Sequence, residues 1–463
     1  LSNLDGVRYH ENILEAVGNT PLVRLRNLAH RCPATVLVKV ESLNPGGSVK
    51  DRIGLGMVEA AERTGKLRPG GTIVECTSGN TGMGLALVAA VRGYHAVFVM
   101  PDKVSTEKVN LLKAFGAEVV LTPTAVTPDS PESYYSVAQR IERERPGAVL
   151  MNQYHNPANP EAHYRSTGPE LWEQTAGKID VFVAGMGTGG TITGVARYLK
   201  EKNPKVRVVG VDPVGSILRE YFYTKRLGQA HTYKVEGVGE DFIPSVYDFT
   251  LIDDVIAVND RDALNMTRRL AREEGIFVGG SSGMAAWAGL QVARDLEAGK
   301  LVVVLLPDTG DRYLSKVHND AWMRDNHLLD PDYTKAADAL SAKSPTLSRL
   351  LWVEAGEPVR KALHLIQQYN VTQLPVFRGR KVVGTVYDNE LLQRALEDPS
   401  NLEKPVETLM DPPLPVVGPD EPLGRVTRLL AERNAAVLVQ EDGEVLGILT
   451  RFDMLQFIAG EEK

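Results

Sequence analysis

The sequence predicts an α/β protein with mainly parallel sheets, followed by a small α+β module. From about residue 12 to residue 320, short apolar runs alternate with longer amphipathic stretches. The runs are rich in Val, Ile and Leu and show little polar alternation, as strands covered on both faces should. Beyond residue 345 a pattern of helix, strand, tight turn, strand and helix occurs twice.

In chain order, Ala34–Val40, Thr72–Glu75, Ala96–Met100, Glu118–Leu121, Val181–Ala184, Val206–Val211 and Leu301–Leu306 read as strands. Helical stretches between them include Ile53–Arg63, Met83–Val91, Ser105–Phe115, Gly190–Lys202, Arg261–Glu274 and Met284–Leu296. The expected first domain spans residues 1–329. Residues 330–345 are polar, mixed in charge and punctuated by Pro331 and Pro345, and read as a partly helical linker. The first repeat, 346–400, runs through Val359-Arg-Lys-Ala-Leu-His-Leu-Ile, Leu374-Pro-Val-Phe and Lys381-Val-Val-Gly-Thr-Val. The second, 401–463, runs through Leu423-Gly-Arg-Val-Thr-Arg-Leu-Leu, Ala436-Val-Leu-Val and Glu444-Val-Leu-Gly-Ile-Leu-Thr. Arg378-Gly379-Arg380 and Asp442-Gly443-Glu444 suit hairpin turns. Neither copy can bury its apolar face alone, so the two are expected to pack as one module.

A chain of 463 residues calls for two or three globular units. With 43% hydrophobic and 24% charged residues it has the balance of a folded, soluble protein. A formal charge of -7 gives no electrostatic reason to expect nucleic acid or an anionic membrane as partner. Apolar runs such as Leu85–Val91 and Leu301–Leu306 fall well short of the roughly twenty residues of a membrane-spanning helix. The N-terminus lacks the basic stretch and apolar core of a signal peptide. Two cysteines, Cys32 and Cys76, are too few for a disulfide framework and read as buried apolar residues. The expected location is the cytoplasm.

In open α/β sheets, ligands sit at the carboxyl ends of the strands. Five segments rich in Gly, Ser and Thr lie at such ends. Asn44-Pro-Gly-Gly-Ser-Val-Lys-Asp-Arg places Lys50 at the entry of a helix, where the dipole repels cations. That setting, with partial burial, lowers the pKa of an amine, as covalent catalysis by lysine requires. Thr77-Ser-Gly-Asn-Thr-Gly opens an apolar helix and offers N–H and hydroxyl groups to a carboxylate, although Ser and Asn there also suit capping. Gly185-Met-Gly-Thr-Gly-Gly-Thr can surround a phosphate with backbone amides. The same loop matches G-x-G-x-x-G at Gly185, Gly187 and Gly190, with Asp212 about twenty residues on, which alone fits a dinucleotide site. Val278-Gly-Gly-Ser-Ser-Gly and Leu306-Pro-Asp-Thr-Gly-Asp complete the set. The five converge on a phosphate, a carboxylate and a reactive lysine.

With Gly18-Asn-Thr-Pro-Leu-Val-Arg-Leu, the lysine motif, T-S-G-N-T-G and G-T-G-G-T in this order, residues 13–328 resemble the fold-type II pyridoxal-phosphate enzymes. Within them, Val235-Glu-Gly-Val-Gly-Glu-Asp-Phe-Ile-Pro and the appended repeat, similar to a tandem CBS (Bateman) module, lean toward the cystathionine β-synthases. The resemblance implies two open, mainly parallel sheets with helices, and pyridoxal 5′-phosphate as cofactor, the glycine loop holding its phosphate. It implies that Lys50 carries the cofactor and acts as general base. Asn80 would meet the ring 3′-oxygen, Gly187, Thr188, Gly189, Gly190 and Thr191 the phosphate, and Ser281 the pyridine nitrogen. Thr77, Ser78, Asn80, Thr81 and Gln153 would receive the substrate carboxylate, and Tyr154 and Gly239 would line the second-substrate region. The implied reaction is β-replacement, condensing L-serine with L-homocysteine to L-cystathionine and water. A cysteine synthase using O-acetylserine and sulfide shares these motifs. An adenosyl-sensing regulatory protein is the alternative of another class, against which the intact lysine motif argues.

The resemblance also has departures. Where an animal enzyme has Tyr after E-G-x-G, this chain has Glu240. The Cys and His ligands of the haem-binding animal enzymes are missing, so no haem is expected. In the second repeat, Thr450 and Asp453 fit the ribose and phosphate motif of adenosyl-binding CBS repeats, with S-adenosylmethionine as regulator. The first copy has Tyr387 and Glu390 at those places. The alternative is a pair of packing repeats that help a homodimer or larger homo-oligomer assemble.

Overall fold

The computed structural model describes every residue except 1, 5–6, 78, 103, 105, 124–125, 127–129, 330–333, 344–349, 433 and 460–463. The chain divides into two compact units, residues 1–319 and 320–463.

The first unit carries two parallel sheets. The larger has the strand order β11 (Asp254–Val258), β10 (Arg207–Pro213), β9 (Val181–Gly185), β12 (Leu301–Leu306), β4 (Thr35–Val40) and β3 (Leu22–Arg24), with only β3 antiparallel. The smaller has the order β7 (Glu118–Thr122), β6 (His95–Pro101), β5 (Thr72–Cys76) and β8 (Ala148–Leu150), all parallel. A short ribbon of β1 (Ser2–Leu4) and β2 (Val7–Tyr9) precedes both. Among the described residues, the α-helices that connect the strands are α1 (Lys50–Arg63), α2 (Asn80–Arg92), α3 (Thr106–Ala114), α4 (Tyr134–Glu144), α5 (Ala158–Arg165), α6 (Thr167–Gln174), α7 (Gly190–Lys202), α8 (Leu218–Thr224), α9 (Asp260–Glu274) and α10 (Gly280–Arg294).

Every strand expected from the apolar runs is present, with small shifts at the ends. Besides the two strands of the N-terminal ribbon, the sequence reading missed β3, β8 and β11 in this unit. β3 and β8 have three residues each, and β3 is an exposed edge, so neither yields a run long enough to show a period. β11 is a half-buried edge that begins on an aspartate.

Glycine sets the distance between helices beside the site. A Cβ on Gly54 of α1 would lie 2.6 Å from the carbonyl carbon of Gly84 in α2, and one on Gly84 would lie 2.5 Å from the carbonyl oxygen of Lys50. The two helices therefore touch backbone to backbone, which places the start of α1 beside the start of α2. On α7, a Cβ at Gly190 would run into the Asn159 amide and one at Gly194 into the Pro160 carbonyl, so α5 is drawn equally close. The helices α1, α2, α7 and α10 thus begin at the carboxyl ends of the strands, where orphan N–H groups attract anions.

Glu75, on β5, is fully buried with one carboxyl oxygen unpartnered. Burial pushes its carboxyl up to about 8, with the nearby backbone N–H groups of Gln153, Cys76 and Asn152 pulling the other way. The unfolded chain therefore releases this proton first, and Glu75 subtracts stability as pH rises from the ordinary carboxylate range to about 8. Glu75→Gln, which keeps an acceptor oxygen, is expected to flatten that slope and to add on the order of 1–4 kcal/mol at pH 8. Thermal melts between pH 5 and pH 8 check this, and parallel curves for the two proteins would contradict it.

The second unit contains α11 (Asp320–Asp325), α12 (Ala336–Ser341) and two copies of one motif. The first has the sheet order β13 (Val353–Glu354), β14 (Gln373–Arg378), β15 (Lys381–Tyr387), with α13 (Val359–Tyr369) and α14 (Asp388–Glu397). The second has the order β16 (Val416–Val417), β17 (Ala436–Glu441), β18 (Glu444–Thr450), with α15 (Leu423–Ala431) and α16 (Arg451–Ala459). Both hairpins carry a register shift at the same place, Val376/Phe377 and Val439/Gln440, and turn on Gly379 and Gly443 at φ 64° and 84°.

The compact units divide before the stretch expected to be the linker. Arg324 of α11 sits over the Phe457 ring of α16, 4.9 Å from its centroid. α12, inside that stretch, buries Ala336 and Ala339 in the core of the second repeat. The alanines among its polar residues are what allow α12 to pack. The described residues contain no helix long and apolar enough to cross a membrane.

Candidate active site

The lysine loop is stitched to the segment after β12. Val49 N donates to Pro307 O at 2.8 Å, Thr309 N donates to Gly47 O at 3.1 Å, and Ser48 forms a β-bridge with Asp308. Lys50 follows as the first residue of α1. Among the described residues its Nζ has no hydrogen-bond or ion-pair partner. Burial pushes its ammonium below the ordinary lysine range, and the nearby Asp308 and Glu240 carboxylates offset part of that. Asp308 Oδ2 accepts from Asn80 Nδ2 at 2.8 Å and from Tyr313 Oη at 2.6 Å, while its Oδ1 is buried without a partner.

T-S-G-N-T-G lies between β5 and α2. Thr77 Oγ1 accepts from Gly79 N at 3.1 Å and Gly82 N at 3.3 Å, so this hydroxyl caps the turn. Ser78 lies outside the described residues. The Asn80 amide is engaged at both ends, donating to Asp308 and accepting from Arg312. Thr81 Oγ1 donates to Gln153 Oε1 at 2.6 Å, which joins two segments 72 residues apart. Tyr154 packs edge-on against Phe242, with ring centroids 5.1 Å apart.

The glycine loop closes the other side. Tyr247 Oη donates to Gly187 O at 2.9 Å, and its ring lies 2.6 Å from where a Cβ on Gly189 would sit. Gly189 has φ 91°, which an L side chain rarely adopts. Two residues of α5 hold the loop's hydroxyls. Asn159 Nδ2 donates to Thr188 Oγ1 at 3.3 Å and to Gln153 O at 2.7 Å. His163 Nε2 lies 3.1 Å from Thr191 Oγ1, and its Nδ1 lies 2.9 Å from Thr167 Oγ1. Burial, with the Arg52 and Lys50 charges nearby, keeps this imidazole neutral, so one ring nitrogen donates and the other accepts. With Nε2–H donating to Thr191, the threonine hydroxyl keeps its own proton for an anion.

Ser281, the second residue of α10, is buried, and its hydroxyl makes no hydrogen bond among the described residues. Gly239 N donates to Met186 O at 2.6 Å, which brings the E-G-V-G-E segment against the glycine loop. Glu236 of that segment pairs with Lys108 and Lys316, each at 2.5 Å. Asn159, His163, Arg312 and Tyr247 were not singled out from the sequence. Asn159 and His163 stand four apart on a helix that matches no motif, and only the fold puts them under the loop. Cys76 is buried as expected, whereas Cys32 is only partly buried. In the second unit, Thr450 and Asp453 cap α16: Asp453 Oδ2 accepts from Thr450 N at 2.7 Å, and Asp453 N donates to Thr450 Oγ1 at 3.2 Å. Asp453 also pairs with Lys343 at 3.0 Å. Tyr387 and Glu390 take the corresponding places at the start of α14, where Glu390 faces Asp411.

The donor set fits pyridoxal phosphate. A loop where a Cβ on Gly189 or Gly190 would collide with Tyr247 or Asn159 offers backbone amides and two hydroxyls to an anion. A half-buried amine and the hydroxyl of a buried serine, Lys50 and Ser281, have no hydrogen-bond partner among the described residues, and both follow loops that bond to the segment after β12. Residues 13–308 match the family described as pyridoxal-phosphate dependent enzyme, and residues 346–397 and 406–460 each match the CBS domain. The chain is 40% identical to cystathionine β-synthase of Dictyostelium discoideum over 97% of its length and 92% of that protein. It is 38% identical to that of Mus musculus over 98% of its length and 86% of that protein. A solved O-ureido-L-serine synthase is 41% identical with TM-score 0.63, covering 67% of this chain and 95% of that one. A solved hydrogen sulfide-producing enzyme of Fusobacterium nucleatum is 37% identical with TM-score 0.61, covering 66% of this chain and 100% of that one. Likeness to cystathionine β-synthases over 97% or more of the chain, together with the pyridoxal-phosphate-enzyme match of the first unit and the paired CBS matches of the second, places this chain in the cystathionine β-synthase family of pyridoxal-phosphate dependent enzymes.

Proposed function

We propose that the chain condenses L-serine with L-homocysteine to L-cystathionine and water. The reach of the likeness carries this reading: the cystathionine β-synthases match both units, whereas the O-ureido-L-serine synthase matches 67% of the chain. Pyridoxal phosphate, when bound, supplies the electron sink that lets an amino acid exchange its β-substituent. Lys50 would carry it covalently and move the substrate α-proton, a task suited to an amine whose pKa burial has lowered. The amides of residues 187–190 and the hydroxyls of Thr188 and Thr191 would hold the phosphate. Ser281 would face the ring nitrogen, a hydroxyl there leaving it largely unprotonated. Asn80 would turn to the ring oxygen by giving up Asp308 or Arg312. Thr77, Ser78, Asn80, Thr81 and Gln153 would receive the substrate carboxylate, with Tyr154 and Gly239 on the second-substrate side. Product analysis with serine and homocysteine tests the reading. A chain that makes cysteine from O-acetylserine and sulfide but no cystathionine would sink it.

His163 acts through Thr191 in this scheme. His163→Leu removes both ring hydrogen bonds at similar volume and is expected to weaken cofactor retention about tenfold. Equilibrium dialysis and the ³¹P resonance of the bound phosphate read this directly, and an unchanged dissociation constant would contradict it. An adenosyl regulator at Thr450 and Asp453 is the corresponding reading for the second unit. It requires Asp453 to release Lys343, and calorimetry with S-adenosylmethionine tests it.

A further inference from the structure

The cleft around Lys50 holds one carboxyl that the protein does not use. Glu240 is fixed by its backbone: its N–H donates to Ser216 Oγ at 3.0 Å, and its carbonyl accepts from Ile217 N at 3.1 Å. Gly239 before it has φ 73°, and a Cβ there would lie 2.5 Å from Tyr233 Oη and Pro213 Cγ, so the segment has one place to go. Its side chain has no hydrogen-bond or ion-pair partner among the described residues. Asp308, the other carboxylate near Lys50, is tied to Asn80 and Tyr313. Burial, then the adjacent Asp241, push the Glu240 carboxyl up to about 8, with Lys50 pulling the other way. Its charge also reaches Tyr154. A carboxyl on a fixed backbone, unspent and within electrostatic reach of the reactive amine, is suited to move a proton.

Resting on the reading above, we propose that Glu240 is the proton shuttle of the substitution, giving its proton to the departing serine oxygen and taking one from the incoming thiol. The Cβ–O bond breaks with its electron pair on oxygen, which takes the Glu240 proton and leaves as water. The thiol then yields its proton to the Glu240 carboxylate, and a sulfur electron pair forms the Cβ–S bond. Glu240 ends as it began. The α-proton belongs to Lys50 and does not enter this exchange. The net transfer is one proton from sulfur to oxygen, which the overall stoichiometry requires. An acid titrating near the working pH serves both directions.

The test uses the full chain with its cofactor and two variants, Glu240→Gln and Glu240→Asp. Serine and O-acetylserine are each paired with homocysteine and with sulfide. Acetate departs without a proton, and sulfide is largely ionised near neutrality, so that pair needs no shuttle. Glu240→Gln is expected to lose about 100-fold in kcat with serine and under about tenfold with O-acetylserine and sulfide. Glu240→Asp, which keeps the acid at shorter reach, is expected to recover part of the serine rate. Equal loss with both donors, or no loss, would overturn the shuttle. Loss that follows homocysteine whichever donor is used would make Glu240 a recognition group for the nucleophile and overturn it as well. Failure of the wild type to form cystathionine from serine would overturn the function itself, and shows before any variant is made.

Discussion

A Lys50→Ala enzyme is expected to lose cystathionine formation by at least about 10⁴-fold and to take no label when the cofactor is trapped with borohydride. Two tasks fall on one amine here. It must join the cofactor, which needs an unprotonated nitrogen free of competing partners, and it must then move the α-proton, which needs the same nitrogen within reach of the substrate. Nζ meets the first need because burial lowers its pKa and no described group binds it. The second follows from the loop, whose bonds to Pro307 and Thr309 fix where α1 begins. Lys50→Arg keeps the charge without an exchangeable amine, so it should fail as completely as Ala. Peptide mapping of the trapped wild type should place the label on Lys50. A label on any other residue, or turnover by the alanine variant within tenfold of wild type, would remove the basis of the functional reading.

What the sequence made legible was the set of loops that depend on residue type over a short span. Gly187, Gly189 and Gly190 stand in a run that reads as a loop free of side chains, and in the fold a Cβ on Gly189 or Gly190 would meet Tyr247 or Asn159. Lys50 was conspicuous because a cation at a helix start is out of place. Contacts between distant segments were not legible. Nothing in Ala158–Arg165 announces that Asn159 and His163 will hold Thr188 and Thr191, since the pairing depends on how closely α5 meets Gly190 and Gly194. Thr77 shows the same limit from the other side: capping and ligand binding ask for the same hydroxyl, and the structure displays the capping bonds. Thr450 and Asp453 repeat that ambiguity in the second unit, where one spacing serves both a ribose motif and a capping box.

Arg52→Met is expected to cost about 3–5 kcal/mol of stability, the penalty for leaving buried charges without their partner. Arg52 makes two-pronged contacts with both Glu41 and Glu170, at 2.7 and 2.8 Å to each. Lys39 Nζ completes the cluster, donating to Glu170 Oε2 at 2.8 Å, Thr20 O at 2.6 Å and Gln174 Oε1 at 2.9 Å. Two cations balance two anions, so removing one leaves a net buried charge. The cluster also reaches the site: Glu41 Oε2 accepts from Asn44 Nδ2 at 2.8 Å, and Asn44 Oδ1 accepts from Gly18 N at 2.8 Å, joining the Gly18-Asn-Thr-Pro motif to the head of the lysine loop. Arg52→Lys keeps the charge but cannot span both carboxylates, and should fall between wild type and Met. Acid offers an independent check. Burial alone would raise the Glu170 carboxyl, but Arg52 and Lys39 hold it at about 2. Its contribution is therefore present above the ordinary carboxylate range and lost as pH falls toward 2. The stability gap between wild type and Arg52→Met should narrow over that interval. A gap that stays constant would mean that packing of the arginine stem, and not its charge, holds the lysine loop in place.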